Sequence, residues 1–283
     1  MALTINTNLS SMIVQNNLTK STTQLNNAIE RMTTGYKINH ASDNAAGYSI
    51  AKNWEAKLGS LDVAADNAAM GADMLATLED NCSLISSHLQ RVRDLTEQAA
   101  NGTYGSNSLK AIQSEITARL EEIDRIAANC EYNGINLMDN GGTKAIQVGV
   151  EGTASKSQIS LDSTLFAKGD TQTILGESIT NIASKCAGLS GDGASTMLAT
   201  IDTAIDNMSS RVTTLGAARN RIDSAVESIS VQSENITSSL STLRDADVAT
   251  ESSNYIKAQI LQQASATLLA TANQTPAIAL NLL

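Results

Sequence analysis

Between Leu58 and Val92 apolar residues return at steps of three and four: Leu58, Leu61, Ala65, Ala68, Ala72, Leu75, Leu78, Cys82, Ile85, Leu89 and Val92. That spacing keeps one face apolar and predicts a helix of roughly 40 residues, about 60 Å long. Asn101-Gly102-Thr103-Tyr104-Gly105 ends it, since Asn and Gly accept positive φ. A second helix is expected on Leu109, Ile112, Ile116, Leu120, Ile123 and Ala127, capped by Ser106 or Ser108, stopping near Asn129 before Tyr132-Asn133-Gly134. From Asp139 to Asp170 the period falls to two, in Ala145-Ile146-Gln147-Val148-Gly149-Val150 and again in Gln158-Ile159-Ser160-Leu161, which predicts a β-hairpin. Gly188 to Gly193 reads as a loop. The helical stripe then resumes on Ile201, Ile205, Met208, Val212, Leu215, Ile222, Val226, Ile229, Ile236, Leu240 and Leu243, with Arg219 and Ser233 in the two vacant steps. Two helices of this length bracketing a hairpin most simply pair with each other in a rod-like bundle.

The ends carry weaker stripes. Leu18, Thr22, Leu25, Ile29, Met32 and Tyr36 form one, and Ile256, Ile260, Ala264, Leu268, Ala272 and Ala279 the other. Isolated helices of such length are marginal in water, so these ends need each other or a neighbour. Between Arg31 and Trp54 the stripe is broken by Gly35, Asn39, His40, Asp43, Asn44 and Gly47, a non-helical connector with a capping Asp or Asn, and Arg244-Asp245-Ala246-Asp247 is its counterpart on the return path. The expected fold class is mainly α: a long antiparallel helical bundle or coiled coil with a small β-hairpin insertion and no enzyme-like fold. The expected division is 1–35 terminal helix, 36–56 connector, 57–139 first half of the bundle, 140–195 hairpin and short variable region, 196–243 returning bundle helix, and 244–283 second connector and terminal helix.

Composition supports narrow seams over a thick core. Aromatic residues are 2% of the 283, alanines number 39, and the single Pro276 leaves the preceding chain without its commonest helix breaker. A net charge of −10 offers no basic footprint for nucleic acid. No 18-residue apolar run suits membrane insertion, and Met1-Ala2-Leu3-Thr4-Ile5-Asn6 has no signal-peptide pattern. Cys82, Cys130 and Cys186 fit neither a disulfide framework nor a zinc spacing and read as small hydrophobes. His40 and His88 cannot build a metal site, and His88 is expected to face solvent. Glu121 and Arg125, four apart, read as a surface ion pair. With no P-loop, dinucleotide fingerprint or nucleophile elbow, no catalytic residue, metal or cofactor is expected.

Several ordered blocks resemble the bacterial flagellins. They are Met1-Ala2-Leu3-Thr4-Ile5-Asn6-Thr7-Asn8, Arg31-Met32-Thr33-Thr34-Gly35-Tyr36-Lys37-Ile38-Asn39, Asp43-Asn44-Ala45-Ala46-Gly47, Gln90-Arg91-Val92-Arg93-Asp94-Leu95, Gln98-Ala99-Ala100-Asn101-Gly102-Thr103 and Glu122-Ile123-Asp124-Arg125-Ile126. Near the other end stand Ala258-Gln259-Ile260-Leu261-Gln262-Gln263-Ala264, Ala272-Asn273-Gln274 and Leu280-Asn281-Leu282-Leu283. The likeness covers about 1–140 and 196–283 and leaves a short variable region. It departs at Asp43-Asn44, where an Asp pair is usual, and at His40-Ala41, where Ser-Ala is common.

The resemblance implies a secreted structural subunit that polymerises into the flagellar filament, the helical propeller of swimming. Its implied partners are further copies of itself, an export chaperone, the cap and hook-junction proteins, and the flagellin-binding Toll-like receptor. It maps a receptor or protofilament contact surface onto Arg91, Leu95, Gln98 and Glu115, and alternative packings onto the connector from Gly35 to Gly47. The rival readings are a hook–filament junction protein and another type III secreted filament component.

Overall fold

The computed structural model describes residues 7–139, 142–188 and 192–280, with side chains described for all of these except 186–188, 192–195 and 275–280. Helices α1 (Leu9–Thr34), α2 (Ala45–Ala100), α3 (Ser106–Asn129), α7 (Asp192–Arg244) and α8 (Val248–Leu280) dominate it. The short elements are strands β1 (Glu131–Tyr132), β2 (Ile135–Asn136), β3 (Lys144–Gln147) and β4 (Gln158–Leu161), helices α4 (Ala154–Ser157), α5 (Thr171–Leu175) and α6 (Ile179–Gly188), and a 3₁₀ turn at Ser163–Phe166. The chain forms two compact units, one of Gly59–Ser233 and one of Met1–Leu58 with Glu234–Leu283.

The first of these units is built on the stripes. In α2 the side chains of Leu61, Ala68, Leu75, Leu78, Cys82, Ile85, Leu89 and Val92 are all buried, and α3 adds Ile112, Ile116, Leu120, Ile123 and Ala127. From α7 come Ile201, Met208, Leu215, Ile222 and Ile229 at heptad steps. Each fully buried Leu or Ile contributes about 1.5–3 kcal/mol, which explains why this part holds together. Ion pairs from Glu79 to Arg219 (3.8 Å) and from Arg93 to Asp202 (2.5 Å) set α2 and α7 antiparallel.

The second row of the α7 seam differs from expectation. Ile205 and Val212 are partly buried and pack on the core as Ala225 does, Val226 is exposed, and Ala204 and Ala218 are buried. The small methyl groups of Ala204 and Ala218 are enclosed completely, whereas the bulkier Ile205 and Val212 keep part of their surface at the flank of the seam. The expected Ser cap of α3 is likewise absent: Gly105 is the N-cap, without a side-chain bond, and Ser106 is already helical. Arg125 pairs with Glu122 three residues back (Nε to Oε2 2.8 Å) rather than with Glu121, because both atoms of the guanidinium fork reach that carboxylate. His88 is half-buried, and its Nδ1 is enclosed without a hydrogen-bond partner.

The insertion contains the expected hairpin, with β3 and β4 antiparallel in the register Lys144↔Leu161 to Gln147↔Gln158, and α4 lying in its connection. Ile146 and Ile159 turn inward, and a Cβ on Gly71 of α2 would collide with Ile146, so the close approach of hairpin to helix depends on that glycine. A second, unexpected hairpin joins β1 to β2 through Asn133 (φ 51°) and Gly134 (φ 77°). Positive φ at both central residues is what a type I′ turn requires. The 3₁₀ turn delivers Phe166, fully buried, into the same core.

Candidate functional site: terminal helix pair and connector

The unit of the chain ends rests on the antiparallel pair α1 and α8. Its buried residues are small or polar: Ser21 and Ala28 from α1, Glu251, Ala258 and Ser265 from α8. Across the pair Asn8 Nδ2 donates to the Ala272 carbonyl (2.8 Å), Ser11 Oγ to Asn273 Oδ1 (2.7 Å), Gln262 Nε2 to Thr22 Oγ1 (3.1 Å), and Arg31 pairs with Glu251 (3.3 Å). Val14, Leu18, Leu25 and Leu269 are half-buried, but Leu9, Met12, Ile13, Ile256, Ile260 and Leu268 each expose more than half their surface. A helix pair whose fully enclosed residues are small or polar while six large apolar ones stay mostly in water presents a patch of the kind that marks a surface awaiting a partner.

The connector is a short two-stranded clasp. Gly35 (φ 74°) closes α1, its amide donating to the Arg31 carbonyl (2.9 Å). Tyr36 bridges Asp245, the Lys37 amide donates to the Arg244 carbonyl (2.7 Å), and the Ala246 amide donates to the Gly35 carbonyl (2.8 Å). Arg244 secures it: its guanidinium lies 4.1 Å from the Tyr36 ring centroid, its Nε donates to the Ile38 carbonyl (3.2 Å), and Nη1 pairs with Glu55. The expected counterpart at Arg244-Asp245-Ala246-Asp247 therefore meets the connector directly.

Asp43 folds the rest. Its Oδ2 accepts from the amides of His40 (3.0 Å) and Asn39 (3.1 Å), and these bonds to the charged form hold the carboxyl below its ordinary range. Asn39 Nδ2 donates back to the Tyr36 carbonyl (3.2 Å). The non-helical stretch ends earlier than the expected 56, because Asn44 caps α2: its Oδ1 accepts from the Gly47 amide (2.9 Å). Gly47 is thus in the first turn of α2, where a Cβ would lie 2.9 Å from both Asn44 Nδ2 and Ile38 Cδ1. On the return path Asp247 caps α8 through the Ala249 amide (2.9 Å).

The other residues singled out in the sequence lie in the Gly59–Ser233 unit. Arg91 is exposed and grips Glu115 of α3 through Nε (3.1 Å) and Nη2 (3.0 Å). Gln98 is exposed and donates to the Tyr104 hydroxyl (2.8 Å). Leu95 is 1% exposed and belongs to the core, so it stands behind Arg91 and Gln98 rather than beside them. Cys82 and Cys130 are both buried and free, and burial pushes each thiol up to about 11; the side chain of Cys186 lies outside the described residues. Among the described residues no cluster of His, Cys, Asp and Glu could hold a metal, and no helix is long and apolar enough to cross a membrane.

A helical subunit that leaves a large apolar face open is suited to assembly, and the comparisons with known proteins give the class its name. Residues 5–143 match the bacterial flagellin N-terminal helical region and residues 198–283 the bacterial flagellin C-terminal helical region. The chain is 35% identical over 277 residues to a flagellin of Listeria monocytogenes, covering 96% of each, and 32% identical over 301 residues to a flagellin of Bacillus subtilis, covering 99% of each. A solved Vibrio parahaemolyticus structure assigned to the flagellar hook-associated proteins shares the fold, with a TM-score of 0.59 at 16% identity over 72% of this chain. The chain belongs to the bacterial flagellin family. It is a structural subunit, secreted and polymerised with copies of itself into the flagellar filament that drives swimming.

Proposed function

We propose that the α1–α8 pair is the element through which successive copies are built in, and that its ordering is completed by burial against neighbours. One observation carries this: the pair encloses Ser21, Ala28, Ala258 and Ser265 while Leu9, Ile13, Ile256, Ile260 and Leu268 stay in water. Burial of those side chains in an assembly supplies the stability that the isolated pair lacks. Hydrogen exchange of full-length subunits and of filaments tests it. The amides of 9–34 and 248–274 gain protection on assembly, whereas those of 61–99 change little; equal protection in both states would defeat the proposal.

The division into inner-tube helices (1–35 and 244–283), connectors, bundle (57–139 and 196–243) and variable region (140–195) belongs to the same reading. The export chaperone is then the partner that covers the exposed face of α8 before secretion, and cap and hook-junction proteins contact the same ends. For the flagellin-binding Toll-like receptor, the accessible patch is Arg91, Gln98 and Glu115, with Leu95 supporting it from the core. Arg91→Ala weakens receptor-ectodomain binding by more than about 1 kcal/mol if that patch is the contact. Unchanged affinity would move the contact elsewhere without touching the filament assignment.

A further inference from the structure

In the Gly59–Ser233 unit a cavity of about 270 Å³ lies between α7 and the segment of the 3₁₀ turn and α5, lined by Thr164, Lys168, Thr173, Asn207, Ser210 and Arg211 among others. Arg211 is the anomaly. It falls seven residues from Ala204 and from Ala218, in the row that α7 turns toward the core, and is half-buried there. Its Nε donates to the Leu165 carbonyl (2.9 Å), while Nη2 is enclosed with no hydrogen-bond partner. Among the described residues no carboxylate comes within ion-pairing distance of it. Burial disfavours its charged form, and the nearby thiols of Cys82 and Cys130, kept protonated by burial, supply no counter-charge. The other cation lining the cavity, Lys168, is already paired with Asp170 (2.8 Å).

A half-buried guanidinium without a counter-charge is disfavoured, and where it lines a cavity open to solvent an anion from outside the chain can supply that charge. We propose that this cavity binds a small oxyanion, of carboxylate or phosphate type, with Arg211 as its charged anchor and Asn207 and Ser210 as neutral hydrogen-bonding neighbours. The volume fits this class: drug-sized ligands occupy roughly 300–1,000 Å³, so the cavity suits an ion or a ligand of a few heavy atoms. The part of the guanidinium not committed to Leu165 and the neutral groups of Asn207 and Ser210 can share the several oxygens of one oxyanion, which single-atom chloride cannot offer. Bound there, the anion would tie the variable insertion to α7 in every subunit.

The test uses full-length subunits held below the concentration of assembly. Inorganic phosphate and acetate are titrated by calorimetry against chloride at matched ionic strength, with thermal unfolding followed in parallel. The expected result is saturable binding of at least one oxyanion and a saturable rise in Tm, with chloride giving neither. Arg211→Met reduces the affinity at least about tenfold and removes the oxyanion-dependent rise. Asn207→Trp changes an exposed lining residue, so folding is spared, and fills the cavity while leaving Arg211; it abolishes binding too. Lys168→Met, already neutralised by Asp170, changes the affinity by less than about threefold. Absence of saturable binding by either oxyanion, or binding unaffected by Arg211→Met or by Asn207→Trp, would overturn the proposal.

Discussion

The two units of this chain solve the problem of pairing long helices in opposite ways. In the Gly59–Ser233 unit, Leu61, Leu75, Leu78, Ile85, Leu89 and Ile222 are enclosed, with Thr96, Ser157 and Thr171 as fully buried polar residues beside them. In the unit of the chain ends, Ser21, Ala28, Ala258 and Ser265 are enclosed, hydrogen bonds and one ion pair cross the seam, and Ile256, Ile260 and Leu268 face out. The contrast teaches that helical pattern and stability are separable. The first unit buries its large apolar side chains within the subunit; the second leaves much of its apolar surface open.

Removing buried volume should separate the units most sharply. Leu89→Ala is expected to cost about 2–5 kcal/mol in urea unfolding of the subunit, whereas Ile260→Ala stays within about 0.5 kcal/mol there and instead raises the concentration needed for filament growth. Equal loss of subunit stability in the two variants would break the comparison.

Overpacking comes next. Gly71→Val forces a branched side chain against Ile146 and should cost about 1–3 kcal/mol, with thermal unfolding as the readout and the β3–β4 amides exchanging first. At the clasp, Arg244→Ala removes the Glu55 pair, the bond to the Ile38 carbonyl and the stacking on Tyr36 together. About 1–3 kcal/mol of local stability is expected to go, seen as faster exchange of the Lys37 and Ala246 amides, with the amides of Leu78 to Val92 unchanged.

The smallest effect concerns acid. Asp43 is exposed, and its carboxyl is lowered by the amides of His40 and Asn39, so its contribution is complete above the ordinary value of 3.8 and lost as pH falls through the depressed folded value. Exchange rates at Asn39 and His40, corrected for intrinsic chemistry, should therefore rise below about pH 4 in the wild type. In Asp43→Ala they are already fast at neutral pH and show no such step.

Periodicity revealed the long helices because each stripe of Leu and Ile is buried by the very contacts that need it; Leu58 to Val92 is the clear instance. It failed where backbone chemistry decides. Asn44 starts α2 well before the stripe begins, and Asn133-Gly134 makes a hairpin that reads in sequence as a helix stop. In the α7 seam it placed Ile205 and Val212, which do pack on the core, but also Val226, which is exposed, and it passed over the enclosed Ala204 and Ala218, because a stripe read on large apolar residues overlooks alanine. The site followed the same division. Gly35, Asn39, Asp43 and Asn44 announced a turn through their residue types, but the role of Arg244 is carried by contacts about two hundred residues apart in sequence. Leu95 shows the limit of spacing arguments, since four residues from Arg91 and three from Gln98 it still turns to the core. Arg211 left one signal, a cation on the heptad row of three alanines.

The hydrogen bonds that join α1 to α8 link residues 264 and 262 positions apart at Asn8 and Ser11, and the Arg31–Glu251 pair still spans 220. In kinetic terms they close the longest loop of the molecule. For an otherwise unfolded chain that closure carries an entropic cost of about 5 kcal/mol, growing only logarithmically with length. Once α2 and α7 have zipped together, the slack left to close is a few connector residues on either side. On loop-closure grounds the least costly order is local helix, then long seam, then clasp, then the α1–α8 pair. The helix pair that leaves most apolar surface open is thus the one whose closure leans most on the rest of the subunit being folded first.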